Sequence, residues 1–123
     1  MRKLATIQMI SDVQPIEGAD KIELASILGW KVVIKKDEFS PGDLGIYCEV
    51  DSLLPVKPEF EFLRKSSFKK MSDGTEGFRL KTIKLRGQIS QGLLLPLTAL
   101  GSHVIDLEPG TDVTELLEIV KYE

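Results

Sequence analysis

The stretch Leu44–Pro55, LGIYCEVDSLLP, alternates between two kinds of side chain with the period of a β-strand. One face carries Ile46, Cys48 and Val50, and the other carries Tyr47, Glu49 and Asp51. Because alternate side chains of a strand point to opposite faces, this pattern predicts a strand with a buried face around Cys48 and an outward face around Tyr47. The preceding Pro41-Gly42-Asp43 predicts a turn into the strand.

The residues before this turn also favour strands. Lys21–Lys36, KIELASILGWKVVIKK, is interpreted as two strands with a bend or bulge at Gly29, since residues 32–34 are β-branched. A helix over residues 22–28 is the alternative. Leu4–Ile10 predicts a first strand with Ala5, Ile7 and Met9 on one face.

The residues after Pro55 contain an insert and further short strands. Residues 57–77 are polar and lack strand alternation, so we expect a short helix and a surface loop there. The apolar run Gly92–Leu97 predicts a buried central strand. Glu108–Asp112 predicts a turn, and Val113–Val120 a short strand or helix.

These elements predict one all-β domain over residues 1–123. About five or six strands with irregular connections and one helix/loop insert suit a small closed barrel, and the OB-fold is the leading candidate. An SH3-like barrel is the alternative. The sequence holds one cysteine and no apolar run of the ~18 residues that span a membrane, so we expect an intracellular protein without a membrane partner.

Charge is distributed unevenly along the chain. The net charge is −3, yet residues 57–86 hold nine Lys/Arg and four Asp/Glu. A basic segment between two acidic ones is typical of a local anion-binding surface.

The densest part of this segment is FRLKTIKLRGQIS, Phe78–Ser90, which we interpret as a basic strand. Its alternation slips at Thr82-Ile83, so a β-bulge there would bring all its cations to one side. Cations repeated along a strand suit the phosphates of a nucleic acid. The alternative is a solvated edge strand protected by lysines. The predicted nucleic-acid-binding residues are Arg79, Lys81, Lys84, Arg86 and Gln88, with Lys31, Lys35 and Lys36 in second place.

Neighbouring polar and aromatic residues extend this hypothesis. Ser90 and Gln91 would contact sugars or base edges, and Trp30 and outward-facing Tyr47 would stack on bases. Core packing is the alternative for Trp30.

The sequence argues against a catalytic or metal site within the domain. His103 is the one histidine, Cys48 alternates inward, and a Cys48/His103 dyad is disfavoured. Lys69–Gly74, KKMSDG, is similar to the Lys-x-Asp-Gly sequence of covalent nucleotidyltransferases. However, two residues separate Lys70 from Asp73, where that sequence has one. We therefore predict a turn on Asp73-Gly74.

Two stretches carry a resemblance to a known family. Residues 29–55, GWKVVIKKDEFSPGDLGIYCEVDSLLP, and residues 78–97, FRLKTIKLRGQISQGLLLPL, resemble the N-terminal domain of the two-domain ATP-dependent RNA ligases of bacterial (Deinococcus) and protist type. The resemblance implies an OB-like domain that holds an RNA-containing nicked duplex. It also implies that a nucleotidyltransferase domain beyond residue 123 supplies the ATP and divalent-metal sites, so that this domain has no cofactor and is not an enzyme alone.

Two alternative functions remain. The basic strand could dock on the ligase's own catalytic domain through Arg79 and Arg86. The stretch PIEGADKIELASI, residues 15–27, also resembles the OB-type tRNA-binding domains attached to aminoacyl-tRNA synthetases.

Overall fold

The computed structural model describes residues 3–101 and 108–122. They form twelve short β-strands, two 3-10 helices and one helical turn, α1 (Arg64–Ser67). The 3-10 helices cover Pro58–Leu63 and Leu97–Leu100. The strands are β1 (Ala5–Met9), β2 (Asp12–Pro15), β3 (Ile22–Ile27), β4 (Trp30–Lys35), β5 (Leu44–Cys48), β6 (Ser52–Leu54), β7 (Phe68–Lys70), β8 (Glu76–Arg79), β9 (Ile83–Leu85), β10 (Gln88–Ser90), β11 (Leu93–Leu95) and β12 (Val120–Lys121).

The central sheet has the order β1–β5–β11, and its middle strand β5 is buried on both faces. Ile46 and Cys48 of β5 lie in one apolar core, together with Phe60 and Phe78. Tyr47, between them, lies in a second core that β3 and β4 supply. Successive strand residues point to opposite faces, so one strand serves two cores.

A second antiparallel sheet, β2–β3–β4, covers this second core, which we call the outer core. The β3–β4 hairpin turns at Leu28 and Gly29, both of which have positive φ. Two positive φ angles are the requirement of a type I′ turn, which matches strand twist. The two predicted strands are confirmed, Gly29 marks a hairpin turn rather than a bulge, and the alternative helix is wrong.

The insert adds a helix and a hairpin to a third sheet, β12–β6–β8–β7. The predicted short helix is present, and β7 pairs with β8 around the Asp73-Gly74 turn. The Thr75 amide donates to the Asp73 carboxylate at 2.9 Å, which confirms the predicted turn. This hairpin was not predicted, because residues 68–70 are exposed and show no apolar alternation.

The C-terminal segment is anchored by one buried hydroxyl. Thr114 Oγ1 accepts the Leu4 and Ala5 amides, each at 3.0 Å, and donates to Asp112 Oδ1 at 2.6 Å. A hydroxyl has two acceptor positions and one donor, so Thr114 is fully satisfied. The segment therefore holds the start of β1, although among residues 108–122 only β12 is a strand.

Three sequence predictions are wrong in detail. Tyr47 is 1% exposed and does not face outward, because the second core covers that face of β5. β11 is buried but lies at the edge of its sheet, not at the centre. The ladders of the described strands form four separate sheets rather than one closed barrel. The all-β, OB-like class with a helical insert is confirmed.

A substitution at Gly92 tests how closely the chain packs against β5. Gly92 has φ +91°, and an added Cβ would lie 2.4 Å from the Cys48 carbonyl oxygen. Gly92→Ala should lower the free energy of unfolding by roughly 2–4 kcal/mol, measured by urea denaturation. Gly18, with φ +78° and open space around it, is the matched control. Gly18→Ala should cost only about 1 kcal/mol, and equal losses in the two variants would contradict the close approach at Gly92.

Cys48 provides a second test of this core. Complete burial raises the pKa of its thiol to about 12. The thiolate is the reactive form, so iodoacetamide at pH 8 should alkylate the folded protein very slowly and the urea-unfolded protein rapidly. The unfolded state loses this proton at lower pH than the folded state. The free energy of unfolding should therefore fall as pH rises above about 9, and less steeply in Cys48→Ala. Rapid alkylation of the folded protein would contradict this burial.

Candidate nucleic-acid interface

The predicted basic strand is two strands in two different sheets. β8 ends at Arg79 and belongs to the third sheet, whereas β9 begins at Ile83 and pairs only with β10. Between them, the amide of buried Leu80 donates to the Ser52 carbonyl. The chain thus leaves one sheet and enters a hairpin, so the expected bulge at Thr82 is wrong.

Arg79 is half-buried and held on two sides. Its Nη2 donates to Asp51 Oδ1 at 3.0 Å, and its guanidinium lies 4.1 Å from the centre of the Tyr122 ring. This ion pair is partly exposed and contributes little stability. The two contacts fix where the guanidinium lies, which favours a positioned cation over a freely moving one.

Lys81 shares the face of Arg79. In β8 and its continuation, Phe78 and Leu80 are buried, so the alternate residues Arg79 and Lys81 point away from the core. The pairing of β7 with β8 places Lys69 opposite Gly77, on that same face. A concavity results, lined by Ser66, Ser67, Phe68, Lys69, Arg79 and Lys81.

Sequence reasoning missed Ser66, Ser67 and Lys69. The signal that would have found Lys69 is the Asp73-Gly74 turn, because pairing outward from it brings residues 68–70 beside residues 76–78. Strand alternation then assigns Lys69 to the face of Arg79.

Lys84 and Arg86 lie on the β9–β10 hairpin. Arg86 and Gly87 form its turn with φ of 50° and 79°. Lys84 lies opposite Ile89, and both are exposed. The four predicted cations therefore divide between the concavity and the hairpin.

The polar residues of this hairpin support the fold. Ser90 is buried, and its Oγ accepts the Val33 amide at 2.9 Å. The Gln91 amide donates to the Lys31 carbonyl, and its carbonyl accepts the Tyr47 hydroxyl at 2.8 Å. The buried Ser90 hydroxyl therefore has a structural role instead of the predicted base or sugar contact, while the predicted contact of the Gln91 side chain stays a prediction. Gln88 is half-buried, and its side-chain amide donates to the Ile89 carbonyl at 3.3 Å.

The second-place lysines belong to another sheet. Lys31 and Lys35 lie on β4, and Lys36 follows it; all three are exposed. Lys31 Nζ donates to Ser26 Oγ at 2.7 Å. The structure groups these lysines with β4 rather than with the concavity.

The aromatic residues pack on each other. The Trp30 and Tyr47 rings stack with centres 6.2 Å apart and an interplanar angle of 25°. Tyr47 is buried, so it offers no face to a base, and Trp30 packs against the outer core.

The described residues do not assemble a metal site. Within residues 3–101 and 108–122, no cluster of three or more His, Cys, Asp or Glu side chains fits a metal ion. His103, and with it the disfavoured Cys48/His103 dyad, lies outside the described residues. No helix in the described part of the chain is long and apolar enough to cross a bilayer.

Comparisons with known proteins agree with this architecture. A family described as an OB-fold domain matches residues 4–97. The Naegleria gruberi RNA ligase solved with PPi matches with a TM-score of 0.87 and 43% identity, over 100% of this chain and 36% of that one. A variant of that ligase with AMP and Mn gives a TM-score of 0.87 and 44% identity, over 99% and 36% of the two chains.

A further variant, with ATP and Mn, gives a TM-score of 0.86 and 44% identity over the same shares. Among curated proteins, none matches this chain. The resemblance of this chain to an OB-fold portion of an RNA ligase is thus confirmed, and the chain spans little more than a third of the length of those ligases.

Proposed function

Because the chain belongs to the OB-fold domain family, we propose that it is the N-terminal nucleic-acid-binding domain of an ATP-dependent RNA ligase. In this role it holds an RNA-containing nicked duplex while a separate nucleotidyltransferase domain joins the 3′-OH to the 5′-phosphate. The observation that carries the proposal is the 43% identity to an RNA ligase over the whole chain. These matches also favour the ligase over the tRNA-binding alternative.

The proposed catalytic domain lies beyond residue 123. It would hold ATP and a divalent metal, which would activate the 5′-phosphate for attack by the 3′-OH. The matched ligases are solved with ATP, AMP, PPi and Mn. The described residues of this chain offer no metal cluster, so its proposed contribution is binding and orientation.

The basic residues suit this positioning role. Lys81, Lys84 and Arg86 are exposed, and long cationic side chains of this kind neutralise phosphates without reading sequence. Arg79, held by Asp51 and Tyr122, presents a guanidinium at a fixed place. Contacts at both the concavity and the hairpin would fix the direction of a bound RNA strand as well as its position.

Salt dependence tests the binding. The 123-residue chain should bind a labelled nicked RNA duplex in fluorescence anisotropy, with an affinity that falls steeply between about 25 and about 200 mM salt. Replacing Lys81, Lys84 and Arg86 together by alanine should weaken binding. It should also lower the log–log salt slope by about 0.9 for each phosphate that is no longer neutralised.

A charge-matched control separates direct phosphate binding from net charge. Lys21, Lys70 and Lys121 are exposed and lie outside the proposed interface. Their triple replacement by alanine should leave the slope close to that of the wild type. Equal weakening in both triple variants would show that total charge alone governs binding and would overturn the assignment of these residues.

One observation favours a second role for the hairpin. Ile83 and Leu85 are 43% and 40% exposed on one face of the β9–β10 hairpin, while Ile89, paired with Lys84, is 50% exposed on the other face. Neighbouring exposed aliphatic side chains such as Ile83 and Leu85 commonly mark protein contacts. The hairpin would then dock on the catalytic domain of the same ligase, with carboxylates opposite Arg86. Arg79 already pairs with Asp51, so it is less suited to that docking.

Ile83→Gln with Leu85→Gln distinguishes docking from RNA binding. If the hairpin docks, the double variant should keep the RNA affinity of the isolated chain. It should also weaken association of this chain with the separately expressed remainder of the ligase by about tenfold or more, measured by calorimetry. Unchanged association in the double variant would contradict the docking role. The control is Met9→Gln, which replaces an exposed apolar residue on β1.

A further inference from the structure

We propose that Ser66, Ser67, Lys69, Arg79 and Lys81 form a subsite for one phosphodiester phosphate of a bound RNA. The proposal rests on the proposed function and deepens it, because it adds three residues from the helical insert and gives Arg79 and Lys81 a shared ligand. It also separates this subsite from the cations of the β9–β10 hairpin.

The backbone pairing brings the cations together. Lys69 on β7 and Arg79 on β8 flank Gly77 on one face of the hairpin, and Lys81 continues that face past the end of β8. Gly77 contributes no side chain to this face, and the Leu53 side chain of β6 packs over it, since an added Cβ at Gly77 would lie 2.7 Å from Leu53 Cγ. The resulting concavity has a volume of about 90 Å³, which equals the share of about three liquid water molecules. This is room for one phosphate group.

Arg79, which lines this concavity, carries one buried donor that has no acceptor among the described residues. Its Nε is buried, and no atom of the described residues accepts a hydrogen bond from it. Its neighbour Nη2 is engaged by Asp51, so only one of the two N–H groups on that edge of the guanidinium is paired. A buried N–H without an acceptor is costly, so a small shift of the guanidinium that brought Nε to a phosphate oxygen would remove that cost.

The hydroxyls of the insert supply neutral donors. Ser66 Oγ and Ser67 Oγ lie 3.2 Å apart and hydrogen-bond to each other, and neither has another side-chain partner within residues 3–101 and 108–122. One O–H of such a pair remains free to donate outward. Hydroxyls beside Lys and Arg are a common donor set for phosphate oxygens.

The charge balance favours an anion. The residues that line the concavity carry three positive charges, from Lys69, Arg79 and Lys81, and no carboxylate, and Arg79 pairs with Asp51. Lys69 and Lys81 are exposed, and no ion pair within 4 Å involves either of them among the described residues. A phosphate would therefore meet two unpaired ammonium groups and a fixed guanidinium.

Adjacent lysines of β7 provide a matched test. Lys69 lines the concavity, whereas Lys70 points to the opposite face and lies across from Glu76. Lys69→Gln should lower the affinity of the 123-residue chain for single-stranded RNA about tenfold, and Lys70→Gln should change it far less. Ser66→Ala with Ser67→Ala should weaken binding about threefold or more, with no change in folding, because Ser66 is exposed, Ser67 is half-buried and neither belongs to a core.

A titration with inorganic phosphate tests the subsite without RNA. Phosphate should shift the amide NMR signals of residues 66–69 and 79–81 in the wild type and in Lys70→Gln, and not in Lys69→Gln. RNA should move the same signals. If RNA binds but shifts only hairpin signals, and phosphate shifts none, the subsite is overturned and the proposed function stands. If phosphate shifts these signals in a Lys69-dependent way but RNA does not bind, the proposed function is overturned and the anion subsite stands.

Discussion

The strand β5 is buried on both of its faces, and the rest of the structure depends on this constraint. Cys48 and Ile46 face one core while Tyr47 faces the other. Apolar burial is the main favourable term in folding, and here a single five-residue strand contributes to it twice. Its neighbours β1 and β11 must accompany it into the interior. Groups that meet a ligand are consequently carried by the outer strands and by the insert.

This arrangement explains why the cations occupy two places. β8 has one face on the core, so its alternate residues carry Arg79 and Lys81 outward, and the β7 hairpin adds Lys69 beside them. β9 and β10 are joined to the outer core by the Ser90 hydroxyl and the Gln91 backbone, and they carry Lys84 and Arg86 on a separate projection. The two basic regions are fixed relative to different cores, which suits the proposed role of orienting a duplex.

The local patterns predict much of this fold, since alternation and turn residues act over a few residues. The β3–β4 hairpin, the Pro41-Gly42 turn and the Asp73-Gly74 turn follow from such patterns. The burial of Tyr47 does not, because it requires a second core formed by residues distant in sequence. The slip at Thr82-Ile83 suggests a bulge within one strand. The slip marks instead the point where the chain passes from one sheet to another. A bulge and a change of sheet give the same sequence pattern, and only the pairing with strands distant in sequence distinguishes them. The position of Lys69 could not be predicted for the same reason, because it depends on the pairing of β7 with β8.

Sealing of a nicked RNA duplex by the proposed ligase, compared with its self-adenylylation, tests the central claim most directly. Lys81→Ala with Arg86→Ala removes one exposed cation from each basic region and disturbs neither core. Removing these positioning cations should slow single-turnover sealing by about tenfold or more, while self-adenylylation, which needs no RNA, should stay at the wild-type rate. Sealing at the wild-type rate, or an equal slowing of both steps, would contradict a role of these residues in holding the nucleic acid.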